Sequence, residues 1–264
     1  MEVSVMDIIV CVKRVPLTQE VDLEIDGSKT GVRKDMLAYV INEWDNYAVE
    51  EAILLKEKLE GTVTAITVGK EDDEEVLRRS LAMGADRAIR IDPGDRDLDS
   101  FVLSKALAEV IKGMDYDLVL AGVQADDDNQ GMVGIMLAEH LGLAHAAVVN
   151  GLEPEGDGAT IRVELEGGID EVSKIRLPAL LSIQTGINEP RYVSIMGIRK
   201  AAKKELKVIP LNELGLSDDD LARRTIIEEV FLPPETAGAE MIEGDPSTVA
   251  EDILRIMKEK GVSL

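Results

Sequence analysis

The run Gly122-Val123-Gln124-Ala125-Asp126-Asp127-Asp128-Asn129-Gln130-Gly131-Met132-Val133-Gly134 follows a short apolar segment, Leu118 to Ala121, and leads into Ile135, Met136, Leu137 and Leu141 at helical spacing. A glycine-bearing loop entering a helix exposes main-chain N–H groups, and the helix dipole adds partial positive charge. That chemistry suits an anion such as a phosphate. Gly131 and Gly134 let main chain approach a ligand closely. The three consecutive aspartates oppose it: one can cap the helix, and the others must turn away or hydrogen-bond elsewhere. The residues alone leave three readings open. They are a phosphate site, an acidic helix start without a ligand, and a divalent cation between Asp126 and Asp128, for which no supporting carboxylate is identifiable nearby.

A second segment, Asn42-Glu43-Trp44-Asp45-Asn46-Tyr47-Ala48, enters a helical pattern that Asp45 can cap. Trp44 is the one tryptophan, and it reads either as a packing residue or as an aromatic wall beside a flat cofactor. A third segment runs from Thr185 through Ile187, Asn188, Glu189, Pro190, Arg191 and Tyr192 to Arg199, Lys200, Lys203, Lys204 and Lys207. It is either a solvated helix face or a docking surface for an acidic partner, with Ile187 as an exposed apolar anchor. Cys11 sits in an apolar strand and reads as a small core residue. His140 and His145, the only histidines, are poorly spaced for a metal pair. Val12-Lys13-Arg14-Val15-Pro16 stands where a G-x-G-x-x-G would follow the first strand, and no Walker loop or nucleophile elbow occurs. A nucleotide can bind to such a chain, but groups for phosphoryl transfer are not visible.

The elements that must position these segments alternate. Ile8 to Val12, Thr62 to Val68, Arg87 to Ile91 and Leu118 to Ala121 read as buried strands. Between them lie helical stripes: Ala48, Ala52, Leu55 and Leu59, with Glu50, Glu51, Lys56, Glu57 and Lys58 as the wet face; Val76 to Leu81, stopped by Gly84; and Val102 to Ile111, ended by Gly113. Such alternation predicts an open, mostly parallel, Rossmann-like α/β sheet with helices on both faces. Ligands bind such sheets at the carboxyl ends of strands, near a switch in strand order. Further on, Val149 to Gly158 reads as a loop, Ile161 to Leu165 and Glu171 to Ile175 as a hairpin through Gly167-Gly168, and Pro178 to Ile183 as another buried strand. A second hairpin is expected around Asp26-Gly27. The division expected is a core over 6–205 and an arm over 206–264, ending in an amphipathic helix from about Thr248 to Lys260; from pattern alone the arm either packs on another subunit or folds back on its own core. Residues 1–5 read as a short extension before the first strand.

The 264 residues hold 29 Lys plus Arg against 52 Asp plus Glu, a formal charge of −23, which argues against nucleic acid and against anionic membrane surfaces. An apolar share of 45% argues against wholesale disorder. With one cysteine there is no intrachain disulfide and no cysteine cluster for zinc or iron–sulfur. No start resembling a signal peptide and no run of about 18 apolar residues is found, so a cytoplasmic protein without a transmembrane segment is expected.

Taken in order, Val12-Lys13-Arg14-Val15-Pro16, Tyr47-Ala48-Val49-Glu50-Glu51-Ala52, Leu81 to Arg87, Asp117 to Leu120 running into Gly122-x-Gln124-Ala125, and Asn188-Glu189-Pro190-Arg191-Tyr192 resemble the beta subunit family of electron transfer flavoproteins. The resemblance spans about residues 6 to 262. It implies an adenine-nucleotide-hydrolase-like fold and a heterodimer whose FAD sits mainly on the alpha subunit. Beta carries AMP in most members and a second FAD in electron-bifurcating ones. It places nucleotide contacts at Cys11, at Asn42, Glu43, Trp44 and Asp45, at Val68, and along the loop through Gly122, Gln124, Ala125, Asp127, Asn129, Gln130, Gly131, Met132 and Val133. It puts Trp44 near the interface flavin and makes Ile187 to Arg191 the loop that docks partner dehydrogenases, with isoleucine where leucine is usual. The function implied is an electron carrier without turnover of its own. It takes electrons from an acyl-CoA-type dehydrogenase through FAD to a quinone-linked or iron–sulfur acceptor, the bifurcating variant included. The arm would wrap the alpha subunit. The competing reading is a nucleotide-sensing homodimeric α/β module, which explains the sheet and the loop but neither the arm nor the basic stretch.

Overall fold

The computed structural model describes residues 5–18, 21–234, 238–239 and 241–262. The extension expected at 1–5 lies, apart from Val5, outside the described residues, as do 235–237, 240 and 263–264 of the expected arm.

Nine strands form one sheet. At its centre is β1 (Met6–Cys11), with β4 (Gly61–Val68) and β5 (Arg87–Asp92) on one side. On the other side lie β6 (Leu118–Gly122), β10 (Ala179–Ile183), β7 (Ala144–Glu155), β8 (Gly158–Leu165) and β9 (Ile169–Arg176). The far edge beyond β5 is β11 (Leu206–Pro210). Every pairing from β11 to β7 is parallel, and β7-β8-β9 is an antiparallel meander. The chain leaves β1 for β4 on one flank and later enters β6 on the other, so the order switches between β1 and β6.

Side chains alternate across the strands and divide the core in two. Ile8 and Val10 of β1, with Leu118 and Leu120 of β6, pack under α1 (Glu43–Leu59), α2 (Glu74–Met83) and Ala201 of α5 (Ile195–Ala201). Ile9, Cys11, Val119 and Ala121 pack under α3 (Ser100–Ile111) and α4 (Val133–Leu141). Apolar residues on both strand faces are what a fully covered parallel sheet requires. Gly84, at φ 147°, stops α2, and the left-handed Gly142 stops α4. Gly113 lies just past the last turn of α3, its amide donating to the Val110 carbonyl.

Four local expectations change. Val149 to Gly158 is no loop. It is largely the second half of β7, paired on one side only with β8, where Pro154 is tolerated because no second neighbour needs its missing N–H. Positive φ at Val148 and a register shift between Val149 and Gly151 mark a bulge there. Leu206–Pro210, expected to open the arm, is a sheet strand paired with β5, and Leu211, Leu214, Leu216 and Leu221 beyond it pack on the α3 face. Glu50 and Glu51, expected on the wet face of α1, are buried at 3% and 7% exposure. The turn at Asp26-Gly27 closes with a single bridge, Ile25 to Val32, rather than a strand pair. The paired ribbon in that region is instead β2 (Arg14–Pro16) with β3 (Tyr39–Ile41). The hairpin through Gly167-Gly168 forms as β8–β9, and an amphipathic helix, α6, covers Pro246–Glu259. No helix among the described residues is long and apolar enough to cross a membrane.

Candidate functional site: the cleft between the ends of two strands

A cleft opens where the order switches, at the carboxyl ends of β1, β4 and β6. The floor is apolar, made by Cys11, Ile66, Val68, Leu103 and Leu107, and one wall is the main chain of the β6–α4 loop. Burial, with a smaller contribution from the nearby Asp45 charge, pushes the Cys11 thiol up to about 12. At neutral pH Cys11 is therefore an inert floor residue.

The frame of the cleft is built by Asn42 and Asp45. The Asn42 amide donates to the Gln124 carbonyl at 2.8 Å, and its oxygen receives the Asp126 N–H at 3.1 Å. The Asn42 main-chain N–H donates to the Lys13 carbonyl at 2.9 Å. One residue thus joins the ends of β1 and β6. Asp45 does not cap α1. Its carboxylate receives the Lys13 amide at 2.7 Å and the Gly122 amide at 3.0 Å, again one from each strand end. Burial pushes Asp45 up to about 7 against the opposing pull of these hydrogen bonds. Gly122 must be glycine for this approach, because a Cβ would collide with the Asp45 carboxylate and with Cβ of Trp44.

The acidic run is disposed of residue by residue. Asp126 reaches back to α1 and receives the Glu43 amide at 3.4 Å, serving a helix start whose own cap residue, Asn42, makes no side-chain cap bond. Asp127 and Asp128 accept the Lys13 ammonium at 2.5 and 2.9 Å. Burial lowers the Lys13 pKa, and the two carboxylates override it, so the ammonium ends above the ordinary lysine value. None of the three caps α4. Met132 holds the cap position and supplies no side-chain bond, so the first amides of α4 stay free for a ligand. Asn129 and Gly131 take positive φ, which folds the loop back onto the cleft. Gln130 is pinned by the Ser100 hydroxyl at 2.7 Å.

Eleven expected residues line this one cleft: Cys11, Asn42, Asp45, Val68, Gly122, Gln124, Ala125, Gln130, Gly131, Met132 and Val133. Glu43, Trp44, Asp127 and Asn129 stand outside the lining. Trp44 is partly exposed and donates its indole N–H to Gln184 Oε1 at 3.0 Å. Lys13, Ser100 and the apolar pair Leu103 and Leu107 line the cleft without having been expected. For Lys13 a signal existed: it follows the first strand, where the switch-point rule looks for ligand contacts. For the α3 residues there was none, since only the fold brings α3 alongside. No cluster of three metal-ligating side chains occurs among the described residues, and no third carboxylate joins Asp126 and Asp128.

Comparison with known proteins decides the family. Residues 32–214 match the electron transfer flavoprotein domain. The electron transfer flavoprotein subunit beta of Methylophilus methylotrophus is 40% identical over 96% of this chain and 98% of its own length. That of Bacillus subtilis is 37% identical over 97% and 98%, and that of Homo sapiens 33% over 96% and 97%. The chain belongs to the electron transfer flavoprotein beta subunit family.

In this beta-subunit chain the segment expected to dock partners is moored to α1. Asn188 donates to the Tyr47 carbonyl at 3.1 Å and to Glu51 at 2.9 Å. Arg191 pairs with buried Glu50 at 2.9 Å and with Glu57 at 2.7 Å. Those two anchors explain why Glu50 and Glu51 are buried. Ile187 is half-buried against the core and is not the exposed apolar anchor expected of it, because the loop folds it inward. The exposed apolar side chains there include Tyr192 at 92%, Ile195 at 71%, Met196 at 69% and Ile198 at 54%. Glu189 is exposed and Pro190 half-buried between these groups.

Proposed function

We propose that this chain is the beta subunit of a heterodimeric electron transfer flavoprotein, and that its cleft holds an adenosine phosphate, as AMP or as the adenine half of a second FAD. The observation that carries the cleft reading is the joint frame of Asn42 and Asp45. It fixes the two strand ends so that an apolar floor lies next to an uncapped helix start. An adenosine needs the first and its phosphate the second. Gly131, left-handed at φ 61°, keeps the loop close and side-chain-free at that start.

FAD, held mainly by the alpha subunit, supplies the redox chemistry when bound, and the protein supplies orientation and electrostatics. In this reading the residues of this chain bind and hold rather than turn over a substrate. Val123 to Val133 offers main-chain donors, Cys11 and Val68 exclude water from the base, and Trp44 stands next to the cleft at the beta surface. The mooring of Asn188 and Arg191 supports a docking role for the segment that follows, which would present Tyr192, Ile195 and Met196 beside Arg199 and Lys200 to an acyl-CoA-type dehydrogenase. Electrons would leave to a quinone-linked or iron–sulfur acceptor. The part of the arm beyond Thr225 exposes Ile226, Ile227, Phe231 and Leu232 and would wrap the alpha subunit.

Co-expression with an electron transfer flavoprotein alpha subunit tests this. A yellow one-to-one complex is expected. A colourless homodimer of this chain in the presence of folded alpha subunit would instead favour a nucleotide-sensing module.

A further inference from the structure

The root of the arm is fastened to α3 and then let go. Lys105 of α3 holds Asp220 at 2.8 Å, Asp97 holds Arg223 at 2.6 Å, and the Arg224 guanidinium lies over the Phe101 ring, 5.0 Å from its centre. The last of these fastenings is the buried carboxylate of Asp99. One of its oxygens caps α3 by accepting the Val102 amide at 3.0 Å. The other accepts three donors of the arm: the Arg224 amide at 2.5 Å, the Thr225 amide at 2.9 Å and the Thr225 hydroxyl at 3.2 Å. Burial opposes the charge of Asp99, and the amides of Val102, Thr225 and Arg224 outweigh it, so the carboxyl ends below its ordinary value and is ionised at neutral pH. Immediately beyond, Ile226, Ile227 and Phe231 are exposed. The next hydrogen bond from the arm to the core among the described residues is that of the Val230 amide to the Lys29 carbonyl, at 2.8 Å.

We propose that Asp99 is the pin that aims the arm at its partner: it fixes where and in which direction the chain leaves the core, and so removes part of the ordering cost of wrapping the alpha subunit. The inference rests on the reading that the arm wraps that subunit, and deepens it. Two successive amides and a hydroxyl converging on one oxygen leave the main chain at Arg224 and Thr225 little freedom. Without the pin, Ile226 and Phe231 would sample many positions before association, and binding would have to select one of them. Asp99 is a positioning residue in this scheme and acts on the partner only through the arm.

The test is the dissociation constant of the full chain for an electron transfer flavoprotein alpha subunit, in the wild type and in Asp99→Asn and Asp99→Ser. Asparagine and serine cap a helix as well as aspartate does, so α3 keeps its start. Neither can also present an acceptor oxygen to the arm, since the amide and the hydroxyl each have one oxygen. Both variants should bind the alpha subunit roughly tenfold more weakly, the loss expected when a segment must be ordered on binding. The same substitutions are then made in an Ile226→Ala/Phe231→Ala background. There the weakening caused by Asp99→Asn or Asp99→Ser should shrink below about twofold, because aiming an arm that no longer grips gains nothing. A role confined to the stability of α3 would weaken binding equally in both backgrounds. That result, or wild-type affinity in both Asp99 variants, overturns the inference and leaves the wrapping reading intact. Wild-type affinity in Ile226→Ala/Phe231→Ala itself overturns both.

Discussion

Asp45 accepts the main-chain N–H of Gly122 at 3.0 Å, although 77 residues separate the two. The approach leaves no room for a Cβ on Gly122. A residue on the first helix therefore sets where the β6–α4 loop begins, and through it the position of every main-chain donor offered to a ligand.

Gly122→Ala should push Asp45 and Trp44 aside. Overpacking a tight site costs about 1–3 kcal/mol, so the melting temperature should fall by several degrees. The larger effect should be on the cleft: nucleotide co-purifying with the variant should drop well below that of the wild type. Thermal unfolding and nucleotide extraction on the same preparation check both.

Asp45 also makes stability depend on pH. Its carboxyl is raised from 3.8 to about 7 by burial, so the folded chain binds a proton that the unfolded chain has released. Its contribution is fully present below about pH 4 and is lost as pH rises through about 7. Asp45→Asn removes this titration. The difference in unfolding free energy, wild type minus variant, should therefore decline from pH 5 to pH 8 in denaturant titrations. A flat difference would show that Asp45 titrates normally.

Arg191→Ala should leave Glu50 buried without its cation. Removing one partner of a fully buried pair costs about 3–5 kcal/mol. Arg191 is 30% exposed, so roughly 2 kcal/mol is expected, read as a lowered denaturation midpoint. Glu50→Gln in the Arg191→Ala background should recover part of the loss, because the uncompensated charge is then gone.

Ile195→Asp places a charge in the exposed apolar patch without disturbing the core. If that patch is the docking surface, flavin reduction by the donor dehydrogenase should slow by roughly tenfold, the cost of one lost interface anchor. Bound flavin and melting temperature should stay at wild-type values. Ile187→Asp should instead unfold or destabilise the chain, since Ile187 packs against the core.

What could be read from residues alone was whatever short-range pattern decides. The strands around Ile8 and Val119, the helices ended by Gly84 and Gly142, and the glycine-bearing loop at Gly122–Gly134 all announce themselves within a dozen positions. The misreadings depend on distant partners. Glu50 looks solvated until Arg191 arrives from 141 residues away. Pro154 looks like a loop residue until β8 pairs with one side of it only. The acidic run looked hostile to phosphate because Lys13 and the start of α1, which take up its charge, lie far off in the chain. Ser100 belongs to the cleft for no local reason at all.

The most direct test of the central claim is to extract and count adenine nucleotides from the purified one-to-one complex with the alpha subunit. One adenosine phosphate per complex beyond the FAD proposed for the alpha subunit is expected, and it should be lost when Gly131 is replaced by valine. A complex that transfers electrons normally yet carries no such nucleotide, or one that retains it fully in Gly131→Val, would contradict the account.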